Sequence, residues 1–155
     1  MYRVLFVCTG NTCRSPMAEQ VLRRELAELG VCVEVESCGL RTTVPGAAAD
    51  PRAQAVLAAH GYEYGHSVRQ FEPAMFDRHD LIVALDSNHE WVLRQLAPTR
   101  LAAGRVRLLG SFDPEAGAGW DVPDPVGGDA GDYERTLALV RAAMPGLIAA
   151  ILDRG

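Results

Sequence analysis

The chain has 155 residues, 48% of them apolar, which suffices for one domain over residues 1–155 with a proper core. Its formal net charge of −5, with no basic run or tail, argues against nucleic acid as a partner. No run of about 18 apolar residues occurs, and Met1-Tyr2-Arg3 leads straight into a strand, so we expect no transmembrane helix, no membrane partner, no secretory leader and a cytoplasmic location.

Residues 2–8 carry the apolar run Val4-Leu5-Phe6-Val7 and read as a buried strand. Residues 16–29 read as an amphipathic helix with Met17, Val21, Leu22, Leu26 and Leu29 on one face. Ser15 is its expected N-cap, Pro16 fits the first helical position, and Gly30 ends it. A strand over 31–37 and a loop over 39–50 follow. Asp50-Pro51 then opens a helix that stops at Gly61. A short helical segment is predicted at 73–78, a continuously apolar strand at 81–85, a helix at 87–96 and a strand at 106–109. Residues 110–131 form a long, acidic, Gly- and Pro-rich loop. A helix over 133–152 closes the chain, with a kink expected at Pro145.

Strands alternating with helices predict an α/β fold: a parallel sheet of about four strands covered on both faces. Ligands bind such sheets beyond the C-terminal strand ends, where Cys8, Ser37 and Asp86 lie.

The segment Cys8-Thr9-Gly10-Asn11-Thr12-Cys13-Arg14 joins the first strand to the first helix. Its backbone N–H groups, backed by a helix N-terminus, form an anion site. The thiolate is the nucleophilic form of cysteine, and convergent dipoles with a nearby arginine favour it. The same groups suit three phosphate oxygens, and the planar fork of Arg14 takes two of them at once. Ser15 could also donate to the Cys8 sulfur, in competition with capping. Gly10 permits close backbone approach, and Asn11 tolerates the left-handed region. Thiolate attack on phosphorus needs an acid for the leaving group and a base for water. From the residues alone Asp113, Asp121 and Asp124 all qualify.

The other motifs read plainly. Cys32 and Cys38 are expected to be small buried hydrophobes. His60, His79 and His89 read as surface or helix-end residues, and Trp91 as core. No Cys/His spacing resembles a zinc site, so no metal is expected.

The run from Val7 to Glu19 resembles the signature of the low-molecular-weight protein tyrosine phosphatases, and the similarity extends over nearly the whole chain. The resemblance implies a four-stranded, all-parallel twisted sheet with helices on both sides. It implies catalysis through a phosphocysteine at Cys8 with Arg14, without cofactor. Asp124, in Asp124-Pro125, matches the family's general acid. Thr9, Gly10, Asn11, Thr12, Cys13 and Ser15 then make up the substrate-binding set. Ser37 resembles the serine that supports the loop asparagine, and His66 the histidine bonded to it. Cys13 resembles a second loop cysteine that forms a reversible disulfide with Cys8 under peroxide. Phosphorylated proteins are the implied substrates and inorganic phosphate the product; oligomeric state stays open.

Two departures bear on specificity. Val126-Gly127 follow Asp124-Pro125 where phosphotyrosine members usually carry aromatics, and Thr12 stands where many carry an aliphatic residue. Both resemble the protein-arginine phosphatases of the same family, whereas Leu85-Asp86 resembles the tyrosine-specific pattern. Trp120 could supply an aromatic wall from elsewhere. Phosphotyrosine is therefore the first expectation and phosphoarginine the alternative. Arsenate reductases of this fold need a further mid-chain cysteine pair, and no cysteine lies beyond Cys38. A silent phosphate-binding module would be expected to lack Cys8, Arg14 or Asp124.

Overall fold

The computed structural model describes residues 1–154 except Ala116 and Ala118, which belong to the expected acidic loop. Four parallel strands, β1 (Arg3–Cys8), β2 (Glu34–Gly39), β3 (Leu81–Ala84) and β4 (Val106–Leu108), form one sheet in the order β2-β1-β3-β4. Among the described residues, six helices connect and flank them: α1 (Arg14–Glu28), α2 (Pro51–Ala59), α3 (Met75–Arg78), α4 (Ser87–Leu96), α5 (Arg100–Ala103) and α6 (Ala130–Leu152). A 3-10 turn spans Leu109–Phe112.

The continuous apolar runs of β1 and β3 follow from burial on both faces. Val4, Phe6 and Cys8 of β1 and Leu81 and Val83 of β3 join the core that packs α1, α2 and α6. Leu5, Val7, Ile82 and Ala84 point the other way, into the core that packs α3, α4 and α5. The chain leaves β1 towards β2 and then crosses to β3 on the opposite side. The order therefore reverses between β1 and β3, and the crevice beyond their C-terminal ends is where such sheets take ligands. Cys8 and Asp86 sit there.

Several expectations are corrected. Ser15 does not cap α1: the helix starts at Arg14 behind Cys13 with no side-chain cap, because the Ser15 hydroxyl is engaged elsewhere. The second strand begins only at Glu34, paired with Arg3, so Cys32 falls before the ladder and is exposed; Cys38 is buried as expected. Trp91 is 63% exposed, since α4 buries His89 and Leu93, one turn apart, and residue 91 faces away from both. Four-residue α5, capped by Thr99, is too short to leave a periodic signal. Helix α6 starts earlier than expected, with Asp129 and Asp132 as a capping box, and runs through Pro145. It is long and apolar enough to cross a bilayer, yet Tyr133, Leu137, Val140, Met144 and Leu147 are buried in the core beneath α1 and α2.

Gly146 lets α6 approach the 3-10 turn, because a Cβ there would overlap the Phe112 carbonyl oxygen. Gly146→Ala should therefore destabilise the fold by about 1–3 kcal/mol, although alanine is the better helix former by about 1 kcal/mol. Urea unfolding checks this; a stabilised variant would show that the contact relaxes freely.

Candidate active site

Asn11 organises the loop between β1 and α1. It is fully buried and the only described non-glycine residue with positive φ, +59°. Holding a non-glycine residue there costs about 1–2 kcal/mol, and the local bonds offset it. Its Nδ2 donates to Ser15 Oγ at 2.9 Å and Ser37 Oγ at 3.0 Å. Its Oδ1 accepts the Arg69 N–H at 2.9 Å, and its carbonyl accepts from His66 Nε2 at 2.7 Å. Ser37 in turn donates to Glu19 Oε1 at 2.5 Å. Burial holds the half-buried His66 below its ordinary pKa, while its hydrogen bond to that carbonyl acts in the opposite direction.

The loop presents Cys8 at its base. Cys8 Sγ is 2.9 Å from Ser15 Oγ and accepts the Asn11 N–H at 3.3 Å. Either the thiol or the Ser15 hydroxyl can donate in the first contact; the second is a backbone N–H pointed at the sulfur. Arg14 is 5% exposed; its Nη1 donates to Asp86 Oδ2 and to the Val122 carbonyl, each at 2.9 Å. Asp124 Oδ2 lies 3.9 Å from Arg14 Nη2.

A cavity of about 250 Å³ opens over this loop. Cys8, Thr9, Gly10, Thr12, Cys13 and Arg14 form its floor, and Arg41, Thr43, Asp124 and Val126 its rim. Asn11 and Ser15 stand behind the floor as supports, with Ser37 and His66 behind Asn11. Among the described residues, no aromatic side chain lines the cavity. Trp120 packs instead over Gly110 against the core and donates to Asp113 Oδ2 at 2.9 Å, so it is not the aromatic wall.

The three candidate carboxylates separate by their partners. Asp113 accepts from the Glu115 N–H and the Trp120 indole, which hold it below its ordinary pKa. Asp121 accepts from the Ser87 N–H and hydroxyl. Asp124 Oδ1 accepts the Val126 N–H at 3.1 Å, and Asp124 alone of the three stands on the rim, with its side chain 54% exposed.

Cys13 Sγ lies 3.5 Å from Tyr133 Oη and 3.7 Å from Thr12 Oγ1, and burial pushes its thiol up. His60 is at the surface, paired with Glu134 at 2.8 Å. His79, the C-cap of α3, and His89, in the first turn of α4, lie at helix ends as expected, but both are buried rather than at the surface. His79 bridges the Met75 carbonyl and Glu36 Oε1, pinning β2 to α3. The sequence reading also missed Asp86 as the partner of Arg14. An aspartate three residues before His89 carries a cap signal, but nothing local points it at a residue 72 positions earlier.

The family described as low molecular weight phosphotyrosine protein phosphatase matches residues 3–154. The chain is 52% identical over 156 residues to a low molecular weight protein-tyrosine-phosphatase of Streptomyces coelicolor, covering 99% of this chain and 95% of that protein. It is also similar to the crystal structure of a protein tyrosine phosphatase from Entamoeba histolytica, with TM-score 0.93, 26% identity and coverage of 99% and 98% of the two chains. A third similar structure is the YwlE arginine phosphatase of Bacillus subtilis, with TM-score 0.87, 26% identity and coverage of 98% and 97%.

Proposed function

Because the chain belongs to the low molecular weight phosphotyrosine protein phosphatase family, we propose that it hydrolyses phosphotyrosine on proteins through a phosphocysteine at Cys8. The observation that carries this reading is one cavity floored by Cys8 and Arg14 with Asp124 on its rim. The Cys8 thiolate attacks phosphorus; the S–P bond forms as the P–O bond to the tyrosine breaks. Asp124 in its acid form gives its proton to the leaving oxygen. Arg14, aimed by Asp86 and the Val122 carbonyl, and the loop N–H groups hold the equatorial oxygens as charge develops. The Asp124 carboxylate then takes a proton from water, whose oxygen attacks phosphorus. The S–P bond breaks, and Ser15 Oγ, 2.9 Å from the sulfur, steadies the departing thiolate. Inorganic phosphate leaves. Under peroxide, we read Cys13 as the partner that traps oxidised Cys8 as a disulfide.

Phosphoarginine is the second reading, and a specific observation favours it. No described aromatic side chain lines the cavity to grip a phenol ring, while Thr12 and the open Val126 rim fit a guanidino group. The test is kcat/KM of the reduced enzyme on phosphotyrosine and phosphoarginine peptides side by side, with Cys8→Ser as the blank. Phosphotyrosine is expected to be the better substrate. A tenfold preference for phosphoarginine, about 1.4 kcal/mol in the transition state, would transfer the assignment to that substrate. Inertness on both would overturn the phosphatase reading.

A further inference from the structure

His89 has no role in the chemistry above, yet its side chain is 2% exposed and reaches the loop. Its Nε2 lies 2.8 Å from the hydroxyl of Thr9, the residue after Cys8. Its Nδ1 lies 3.2 Å from Asp86 Oδ1 and has no aligned hydrogen-bond partner among the described residues. Asp86 itself is shared: Oδ1 accepts the His89 N–H at 2.8 Å, and Oδ2 accepts from Arg14 at 2.9 Å. One imidazole thus touches the residue beside the nucleophile and the carboxylate behind the closing arginine. Burying a ring with polar nitrogens is costly, and leucine would fill the same space more cheaply.

The neighbours choose the tautomer. A neutral ring carries one hydrogen. A lone pair on Nδ1 would be repelled by the Asp86 carboxylate 3.2 Å away, whereas an Nδ1–H is attracted to it even without an aligned hydrogen bond. Nε2 is then the acceptor, and the Thr9 hydroxyl must donate. Four charged groups face the ring: Asp86 at the start of its own helix, Arg14 from α1, and Asp121 and Asp124 from the segment before α6. Burial outweighs the three carboxylates, with Arg14 acting in the same direction, and holds the His89 pKa down to about 4.

We propose that His89 is a positioning residue of the phosphate loop: as the neutral Nδ1–H tautomer it accepts a hydrogen bond from the Thr9 hydroxyl and steadies Asp86 behind Arg14. The loop is thereby tied to α4 at both ends, and the Thr9 proton is withheld from the phosphate oxygens. Protonating the ring would reverse the Thr9 hydroxyl and set a second cation against Asp86 in competition with Arg14. The inference rests on reading this loop as the phosphate site.

Two measurements test it. Long-range 1H–15N spectra of the reduced wild-type protein should show His89 protonated at Nδ1 only, and still neutral at pH 5.5. An Nε2–H tautomer, or a charged ring at that pH, overturns the proposal whatever the enzyme's substrate. Kinetics on the phosphotyrosine peptide supply the second arm. His89→Leu should lower kcat/KM on the order of tenfold, the worth of one lost hydrogen bond, with the larger part in kcat. His89→Gln, which keeps an acceptor for Thr9, should recover most of the loss. Thr9→Val and His89→Leu should cost less together than the sum of their separate losses, because the Thr9–His89 contact is removed by both. Additive losses, or a folded His89→Leu with wild-type kinetics, overturn the proposal. If His89→Leu does not fold, Thr9→Val and His89→Gln still decide: Thr9→Val must lose activity and His89→Gln must not. A wild type inert on phosphotyrosine and phosphoarginine would sink the functional reading instead, and the tautomer would still be measured.

Discussion

Cys8→Ser is expected to lower kcat by roughly 10⁴–10⁶ while leaving affinity for inorganic phosphate within about threefold. The two quantities part because different atoms supply them. Affinity for the anion comes from the loop N–H groups and from Arg14, which Asp86 and the Val122 carbonyl hold in place whatever residue stands at position 8. Turnover needs a nucleophile that is anionic near neutral pH, and a serine hydroxyl is not. The substitution also leaves Asn11 with its bonds to Ser15, Ser37, Arg69 and His66, so the loop keeps its left-handed turn. Steady-state kinetics on a phosphotyrosine peptide and calorimetric titration with phosphate measure the two separately. Hydrolysis retained in this variant would sink the thiolate mechanism. Phosphate affinity lost together with turnover would mean that the sulfur itself holds the loop together.

Asp124→Ala is expected to slow turnover by roughly 10²–10⁴, the usual worth of a positioned acid and base, while Asp113→Ala and Asp121→Ala stay within about threefold of wild type. Asp113 and Asp121 each accept two hydrogen bonds that hold structure: the Trp120 indole and Glu115 N–H for one, the start of α4 for the other. Removing Asp113 should instead lower stability, because the half-buried indole N–H loses its partner. The leaving group gives an internal check. p-Nitrophenyl phosphate expels an anion that needs little help from an acid, so the Asp124→Ala defect in phosphorylation of Cys8 should be smaller with it than with phosphotyrosine. Equal losses in the three aspartate variants would overturn the assignment of Asp124 as acid.

The sequence by itself determined most of the elements and marked the loop that joins the first strand to the first helix. The Val4–Val7 run, the Gly30 stop and the Asp50-Pro51 start are signals written within a few residues, where period and cap chemistry operate. The loop from Cys8 to Arg14 is local as a motif, seven residues between a strand and a helix, but its conformation is held from afar by Ser37, His66 and Arg69.

Tertiary structure decided the rest, because it depends on which elements the strand order β2-β1-β3-β4 brings together. Ser15 looked like a cap, but the Cys8 sulfur and the Asn11 amide, brought in by the turn of the loop, claim its hydroxyl. Arg14 finds its acceptors 72 and 108 residues away, beyond the reach of any local pattern. Trp91 and His89 are two residues apart on one helix, and only the packing of α4 on the sheet says which is buried. Trp120 and Asp113 pair with each other, which removes both from the cavity and leaves Asp124 on its rim. Periodicity reports that a face is buried; which side chain meets which across the sheet is set by the order in which the strands assemble.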